Sequence, residues 1–169
     1  MALFRYHATT FLDKADSAPI EALRQHWDPV MASQIDAHVS LMWPEEVPNH
    51  KELERRARSA AALLPPISVT ITTPFYVGDP KDGVFCEVID AESGIADFRL
   101  KAVPTDGAID FPPHVTIVHP RTSALGSEAW RRLEGIRLDI STVLTEVSIT
   151  AFDGTRWLTV ERFRFGSAS

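Results

Sequence analysis

Hydrophobic and polar residues alternate along this chain with two different periods, which predicts a mixture of strands and helices. Several short segments follow the two-residue period of a half-buried strand. Others repeat apolar residues every three to four positions, as an amphipathic helix does. The predicted strands span 3–11, 35–43, 67–77, 84–89, 141–152 and 155–165, and a further strand begins at His114. The predicted helices span 18–27, 48–64, 93–100 and 123–133.

Proline, glycine and aspartate mark the boundaries between these elements. Pro65-Pro66 ends the longest predicted helix, because proline has no N–H to continue the helical hydrogen bonds. The segments GDPKDG at 78–83 and Asp153-Gly154 are typical of hairpin turns. The order of elements in the first half recurs in the second half. The pattern therefore predicts an α+β fold in which 1–169 form a single domain of two pseudo-symmetric lobes.

Each predicted lobe consists of an antiparallel sheet with flanking helices. An antiparallel sheet tolerates one solvated face, so polar side chains on the strands need not be buried in the core. We expect the two lobes to form a central groove, with one solvated sheet face of each lobe turned towards it.

The most specific feature of the sequence is a near-repeat of seven residues. The segment HVSLMWP at 38–44 returns 76 positions later as HVTIVHP at 114–120. Each copy has a His and a hydroxyl residue two places apart, so in a strand both point to one face while the aliphatic residues line the other. The candidate site residues are His38, Ser40, His114 and Thr116.

A third match, His7-Ala8-Thr9, lacks the context that the other two share. It has no proline six places after its His and no aliphatic alternation behind it. A bare His-x-Ser/Thr pattern is expected about once by chance in a chain of this composition. The sequence therefore favours a functional role for the pair at 38 and 114 over one for His7.

The doubled H-x-[ST] motif, with its aliphatic flanks and this separation, resembles the 2H phosphoesterase superfamily. That superfamily includes 2'-5' RNA ligase-like proteins and phosphodiesterases that open 2',3'-cyclic or 1'',2''-cyclic phosphates. The resemblance implies that His38 and His114 act as general acid and general base. It also implies that the hydroxyls of Ser40 and Thr116 bind phosphate oxygens.

Two features depart from the pattern of that superfamily. Many RNA ligase-like members have Arg five residues after the second His, where this chain has His119, with Arg121 two places further on. Strand alternation puts His119 on the face opposite His114 and favours a structural role, whereas Pro120 ends the strand and leaves substrate contact open. The opening segment at 3–11 also lacks the usual apolar start.

Aromatic residues near the predicted groove are candidates for contact with a nucleoside. Tyr76 lies near a strand end and Phe111 lies just ahead of the second motif. The candidates for substrate binding are therefore these two residues, together with His119 and Arg121. Trp43 belongs by alternation with the buried face of its strand.

The chemistry needs two imidazoles because opening a cyclic phosphate removes a proton from the attacking oxygen and gives one to the leaving oxygen. Histidines with pKa values near 6.5 can share these tasks around neutral pH. Which His is the acid and which the base stays open. This two-histidine reaction needs no metal. His7, His26 and His50 have no partner spacing that would support a metal site, and we expect no cofactor.

Charge and composition narrow the range of partners. The 169 residues carry a formal net charge of -6, which does not favour a protein that holds long duplex nucleic acid. We expect a nucleotide or short RNA substrate. Cys86 is the only cysteine, so no internal disulfide can form. No segment is typical of a membrane span or a secretory signal, and we expect a cytoplasmic monomer.

Together with these observations, the resemblance implies a metal-independent phosphoesterase that hydrolyses or transesterifies cyclic phosphates or 2'-5' phosphodiester linkages of nucleotides or RNA ends. The alternative is a nucleotide or RNA-end binding protein of the same fold with little or no catalysis.

Overall fold

The structure is a computed structural model that describes residues 5–166, and its architecture is α+β. The strands are β1 (Arg5–Phe11), β2 (His38–Met42), β3 (Ile67–Val77), β4 (Gly83–Ile89), β5 (His114–Val118), β6 (Ile140–Leu144), β7 (Glu146–Phe152) and β8 (Trp157–Arg164). The helices are α1 (Lys14–Trp27), α2 (Pro29–Gln34), α3 (His50–Leu63), α4 (Gly94–Ala102) and α5 (Gly126–Leu133).

All eight strands form one sheet in the order β6-β3-β4-β5-β2-β1-β7-β8. Every neighbouring pair is antiparallel. The predicted α+β class with an antiparallel sheet and flanking helices is confirmed. The two motif strands, β2 and β5, are the central neighbours, so the hydrogen bonds continue from one half of the sheet to the other. The division into two pseudo-duplicated lobes stays a prediction.

The sheet is curled, as the connection between β6 and β7 shows. β6 is one edge strand, whereas β7 is next to the other edge. Only Thr145 separates these two strands, and one residue spans about 3.5 Å of extended chain. The two edges must therefore approach each other at this point.

The apolar faces of the two motif strands supply the centre of the core. Val39, Leu41, Val115 and Ile117 are fully buried, whereas the His and hydroxyl residues between them keep some exposure. This contrast follows the two-residue alternation predicted from the sequence. The apolar faces hold the two strands in the core and leave the polar faces available for a site.

The structure differs most from the predicted elements in three places. Helix α1 begins at Lys14 instead of 18, because the Asp13 carboxylate caps it by accepting from the N–H of Ala15. The short helix α2 was not predicted, since six residues are too few to show a helical period. The single strand predicted at 141–152 is two strands, because the chain changes neighbours at Thr145, whose carbonyl accepts from Phe165 N–H.

Candidate active site

The pairing of β2 with β5 brings the two motifs together. The motif side chains, here called the motif tetrad, are His38, Ser40, His114 and Thr116. Val39 pairs with Val115 in antiparallel register, so each His of the tetrad lies opposite the hydroxyl residue of the other strand. Diagonal neighbours on one face of a sheet are about 7–8 Å apart. The two imidazoles therefore stand diagonally across a space that suits a phosphate group.

Both imidazoles of the tetrad are anchored in the same way. Nδ1 of His38 lies 2.8 Å from the carbonyl oxygen of Asp36, and Nδ1 of His114 lies 2.8 Å from that of Pro112. Because a carbonyl oxygen only accepts hydrogen bonds, Nδ1 carries the proton in each ring. Nε2 of each neutral ring therefore keeps a lone pair that can accept a proton.

Burial makes both imidazoles weak bases. Loss of hydration lowers the pKa of His38 from 6.5 to about 3; the hydrogen bond to Asp36 opposes this shift and the charge of Arg24 adds to it. Burial likewise lowers the pKa of His114, and the charge of Lys81 lowers that pKa further. Both rings are therefore neutral at pH 7 in the chain alone. An anion such as phosphate between them would raise both pKa values, because it stabilises the imidazolium form.

The two hydroxyls of the tetrad are available to a ligand. Ser40 and Thr116 are both partly exposed. Within residues 5–166, neither side-chain hydroxyl is hydrogen-bonded to another group of the chain. Each can therefore donate to an oxygen placed between the two imidazoles, where charge builds up during transfer of a phosphoryl group.

A cleft of about 370 Å³ opens beside Ser40. Its lining includes Ser40, Trp43, Arg99, Ile109, Phe111 and Pro113. The ring of Trp43 is nearly parallel to that of His114, with an interplanar angle of 16° and centroids 6.4 Å apart. The Arg99 guanidinium lies 4.6 Å from the centroid of the Trp43 ring. Flat aromatic surfaces of this kind suit a nucleobase.

The expected burial of Trp43 in the core is wrong. Its side chain is only partly buried and lines the cleft. The strand β2 ends at Met42, so the alternation that would turn Trp43 towards the core does not extend to it. The sequence signal for this role was its position directly after the motif strand.

Glu46 fixes the walls of this cleft. Its side chain is fully buried and pairs with Arg99, with an N–O distance of 2.6 Å. The same carboxylate accepts from the backbone N–H groups of Trp43 at 2.9 Å and Ile109 at 2.8 Å. A buried carboxylate with this many partners holds both sides of the cleft in place.

The structure places Phe111 beside the tetrad and Tyr76 elsewhere. The Phe111 ring meets the His114 ring edge to face, with centroids 4.7 Å apart. Tyr76 instead stacks on Trp130 at 6.1 Å, and its hydroxyl donates to Asp82 at 2.7 Å. Its neighbour Phe75, which points to the other face of β3, is the residue that contacts Phe111.

His119 lies where its charge acts on the tetrad. Its backbone N–H donates to Asp28 at 2.9 Å, and its Nδ1 accepts from the backbone N–H of Arg121 at 3.0 Å. Burial, then the charge of Arg121, lowers the pKa of His119 to about 4. A positive charge on His119 would lower the pKa of His38, so the two rings are close enough to interact. The Arg121 side chain is exposed.

His7 is a residue that the sequence argument set aside. It lies on β1, beside β2, and its ring centroid is 5.6 Å from that of His38. Its Nδ1 is hydrogen-bonded to the Thr150 hydroxyl at 2.9 Å. The His7 and Trp157 rings are nearly perpendicular, with centroids 4.4 Å apart. Burial lowers the pKa of His7 well below 6.5. His7 is therefore an uncharged, buried side chain that packs next to the tetrad. Its position there follows from the strand order and not from the local sequence.

Among residues 5–166, no group of three His, Cys, Asp or Glu side chains is arranged to hold a metal ion. Over the same part of the chain, none of the helices has the length and apolar character needed to cross a membrane.

Comparison with known proteins finds a match to the sequence model of the 2'-5' RNA ligase superfamily over residues 12–156. Comparison with curated proteins finds no match. E. coli LigT in complex with NADP+ has a TM-score of 0.66 and 17% identity, covering 96% of this chain and 98% of LigT. Its complex with 3'-AMP gives a TM-score of 0.65 with the same identity and coverage. TT0787 of Thermus thermophilus has a TM-score of 0.65 and 16% identity, covering 98% of this chain and 100% of TT0787.

Proposed function

Because the chain belongs to the 2'-5' RNA ligase superfamily, we propose that it is a metal-independent phosphoesterase. Its substrates are cyclic phosphates or 2'-5' phosphodiester linkages of nucleotides or RNA ends. The observation that carries this proposal is the geometry of the motif tetrad. Two imidazoles, each with Nδ1 held by a carbonyl oxygen, stand diagonally to each other with two available hydroxyls between them.

In the proposed reaction one imidazole is the general base and the other is the general acid. Nε2 of one ring takes a proton from water as the water oxygen bonds to phosphorus. The bond from phosphorus to a ribose oxygen breaks, and the other ring, protonated beforehand, gives its Nε2 proton to that oxygen. The hydroxyls of Ser40 and Thr116 donate to the non-bridging oxygens as their charge increases. Ligation of RNA ends is the same reaction with a ribose hydroxyl in place of water.

The cleft beside Ser40 supports a nucleoside substrate. Trp43 and Phe111 offer aromatic surfaces to a base, and Arg99, whose charge is paired with Glu46, holds the Trp43 ring in place. The nucleotide complexes of E. coli LigT are consistent with this use of the fold. The net charge of -6 favours a small substrate or an RNA end over a long duplex.

The test is hydrolysis in the presence of EDTA of 2',3'-cyclic nucleotides, ADP-ribose 1'',2''-cyclic phosphate and 2'-5' dinucleotides. We expect turnover of at least one compound, and a fall in kcat of about 10²–10⁴-fold in both His38→Ala and His114→Ala. His26→Ala serves as the matched control, because His26 is an exposed residue of α1. Turnover that survives both substitutions would contradict the two-histidine mechanism.

The second candidate is a nucleotide or RNA-end binding protein with little or no catalysis. The lowered pKa values of His38 and His114 favour it, because neither ring of the chain alone is protonated at neutral pH to act as an acid. The same panel distinguishes the two candidates. Binding of a nucleotide to the wild-type protein without any turnover would support the second.

A further inference from the structure

We infer that Glu21 is a positioning residue that acts on His38 through the peptide group between Asp36 and Ala37. This inference deepens the proposed function and rests on it for its catalytic meaning. Glu21 lies on α1, and the peptide group between Asp36 and Ala37 lies directly before β2. The main prediction concerns the pKa of His38, which can be measured whether or not the protein turns over a substrate.

The contacts form an unbroken chain from the carboxylate to the imidazole. Glu21 accepts a hydrogen bond from the backbone N–H of Ala37. The carbonyl of Asp36 belongs to the same peptide group and accepts from Nδ1 of His38 at 2.8 Å. In a trans peptide the N–H and C=O point in opposite directions, so the carboxylate and the imidazole sit at its two ends.

Arg24 holds the carboxylate and this segment in place. Its guanidinium donates to both oxygens of Glu21 at 2.9 Å and to the carbonyl of Ile35 at 2.7 Å. The Arg24 side chain is 1% exposed, so these bonds lie in a region of low dielectric constant where each is strengthened. The backbone just before His38 is therefore fixed on both sides of Asp36.

The physical effect follows from the polarisation of the peptide group. A carboxylate at the N–H end increases the negative charge on the carbonyl oxygen, as hydrogen bonds in a chain strengthen one another. The Asp36 oxygen then accepts more strongly from Nδ1 of His38. An imidazolium donates a stronger hydrogen bond than a neutral ring, so the chain of bonds stabilises a proton arriving at Nε2 and raises the pKa of His38.

Other groups around His38 act against this effect. Burial lowers its pKa most, and positive charge on Arg24 of α1, on His114 of β5 and on His119 lowers it further. His7 of β1 faces the same ring and is itself neutral because of its burial. The Glu21 carboxylate, acting through the peptide group, opposes these effects and keeps the pKa of His38 higher than burial alone would allow.

The second motif cannot form the same chain. His114 also donates from Nδ1 to a carbonyl, that of Pro112, but the next residue is Pro113, whose nitrogen carries no hydrogen. No carboxylate can be hydrogen-bonded to the far end of that peptide group. Both imidazoles donate from Nδ1 to a backbone carbonyl, but only the peptide group that bonds His38 also bonds a carboxylate. His114 therefore serves as an internal control.

Two substitutions separate the peptide-linked effect from a simple effect of charge. Glu21→Gln keeps an oxygen that can accept from Ala37 but removes the charge. Glu21→Asp keeps the charge but is one methylene too short for the same contact. If the effect passes through the peptide, both lower the pKa of His38; if only the charge of Glu21 matters, Glu21→Asp leaves that pKa unchanged.

The measurement is NMR of the ¹⁵N-labelled imidazoles in the intact chain, titrated with saturating inorganic phosphate to bring the pKa of His38 into a convenient range. We expect both variants to lower that pKa by about 0.5–1 unit and to leave His114 within about 0.2 unit of wild type. At pH 7 without phosphate, wild-type His38 should carry its proton on Nδ1, and the resonance of that proton should move upfield in both variants.

Four results would overturn the inference: an unchanged pKa of His38 in both variants, a change in Glu21→Gln alone, an equal shift of His114, or an Nε2–H tautomer of wild-type His38. The last result needs no variant, so the inference can be tested even if a substitution prevents folding. A shift of the His38 pKa without turnover of any substrate would uphold the inference and contradict the proposed catalytic function.

Discussion

A histidine in this fold gains its chemical character from what surrounds its ring. His38 and His114 share a motif, a carbonyl partner on Nδ1 and a partly buried position. His7 has the same spacing to a hydroxyl residue, but its Nδ1 is hydrogen-bonded to Thr150 and the residue is only 5% exposed. All three histidines therefore have the same sequence motif, but they differ in how accessible the imidazole is to a ligand.

The hydroxyl of Thr116 offers a test at this scale. We expect Thr116→Val, which keeps the shape and removes the hydroxyl, to lower kcat by about 10–10³-fold, because a donor to the developing charge is lost. Thr116→Ser keeps the donor and should retain most of the activity. Steady-state kinetics on the best substrate of the panel checks this. Equal activity of the valine and serine variants would exclude a hydrogen-bonding role for this hydroxyl.

At the scale of the elements, the junction between α1 and α2 supports the turn after β5. Asp28 is fully buried and caps α2 by accepting from the N–H of Met31 at 2.9 Å. The same carboxylate accepts from the N–H of His119 at 2.9 Å and from the hydroxyl of Thr122 at 2.7 Å. One side chain thus joins a helix terminus to the segment that carries His119.

Loss of this side chain should affect stability more than loss of an ordinary helix cap. We expect Asp28→Ala to lower the free energy of unfolding by roughly 2–4 kcal/mol, since a cap is lost and buried donors are left without partners. Asp13→Ala, which removes the exposed cap of α1, should cost about 1 kcal/mol. Urea unfolding of the two variants gives the comparison, and equal losses would mean that the buried contacts of Asp28 contribute little.

At the scale of the whole molecule, burial of several neutral histidines couples stability to pH. The histidines whose pKa values are lowered are His7, His38, His114 and His119. In the unfolded chain their pKa is near 6.5, so below that pH the unfolded state binds more protons than the folded state. The free energy of unfolding therefore falls as the pH falls, through the range in which His119 and His38 titrate at about 4 and about 3.

We expect the stability of the protein to be nearly constant above pH 7 and to decrease below pH 6.5, down to the pH of about 3 at which folded His38 titrates. Each neutral buried histidine contributes a slope of up to about 1.4 kcal/mol per pH unit. Thermal unfolding at a series of pH values measures this, and His38→Gln should show a shallower slope than wild type. If the substitution leaves the slope unchanged, the pKa of His38 does not differ between the folded and unfolded states.

The sequence alone determined the features that depend on local periodicity. The alternation around His38 and His114 predicted which side chains share a face, and the burial of Val39 and Val115 follows that alternation. The turn residues, and the apolar residues that recur every three to four positions, predicted the bounds of most elements within a few residues. These features need only the backbone geometry of a strand or helix and the contrast between apolar and polar side chains.

Only the tertiary structure decided which elements meet. Nothing in the local pattern indicates that β2 and β5, 76 positions apart in their motifs, are central neighbours, or that Asp36 and Pro112 supply the two carbonyl partners. The position of Tyr76 against Trp130 and of His7 beside His38 depends in the same way on strand order. Contacts between distant segments are set by how the whole core packs, and a local hydrophobic period carries no information about that choice.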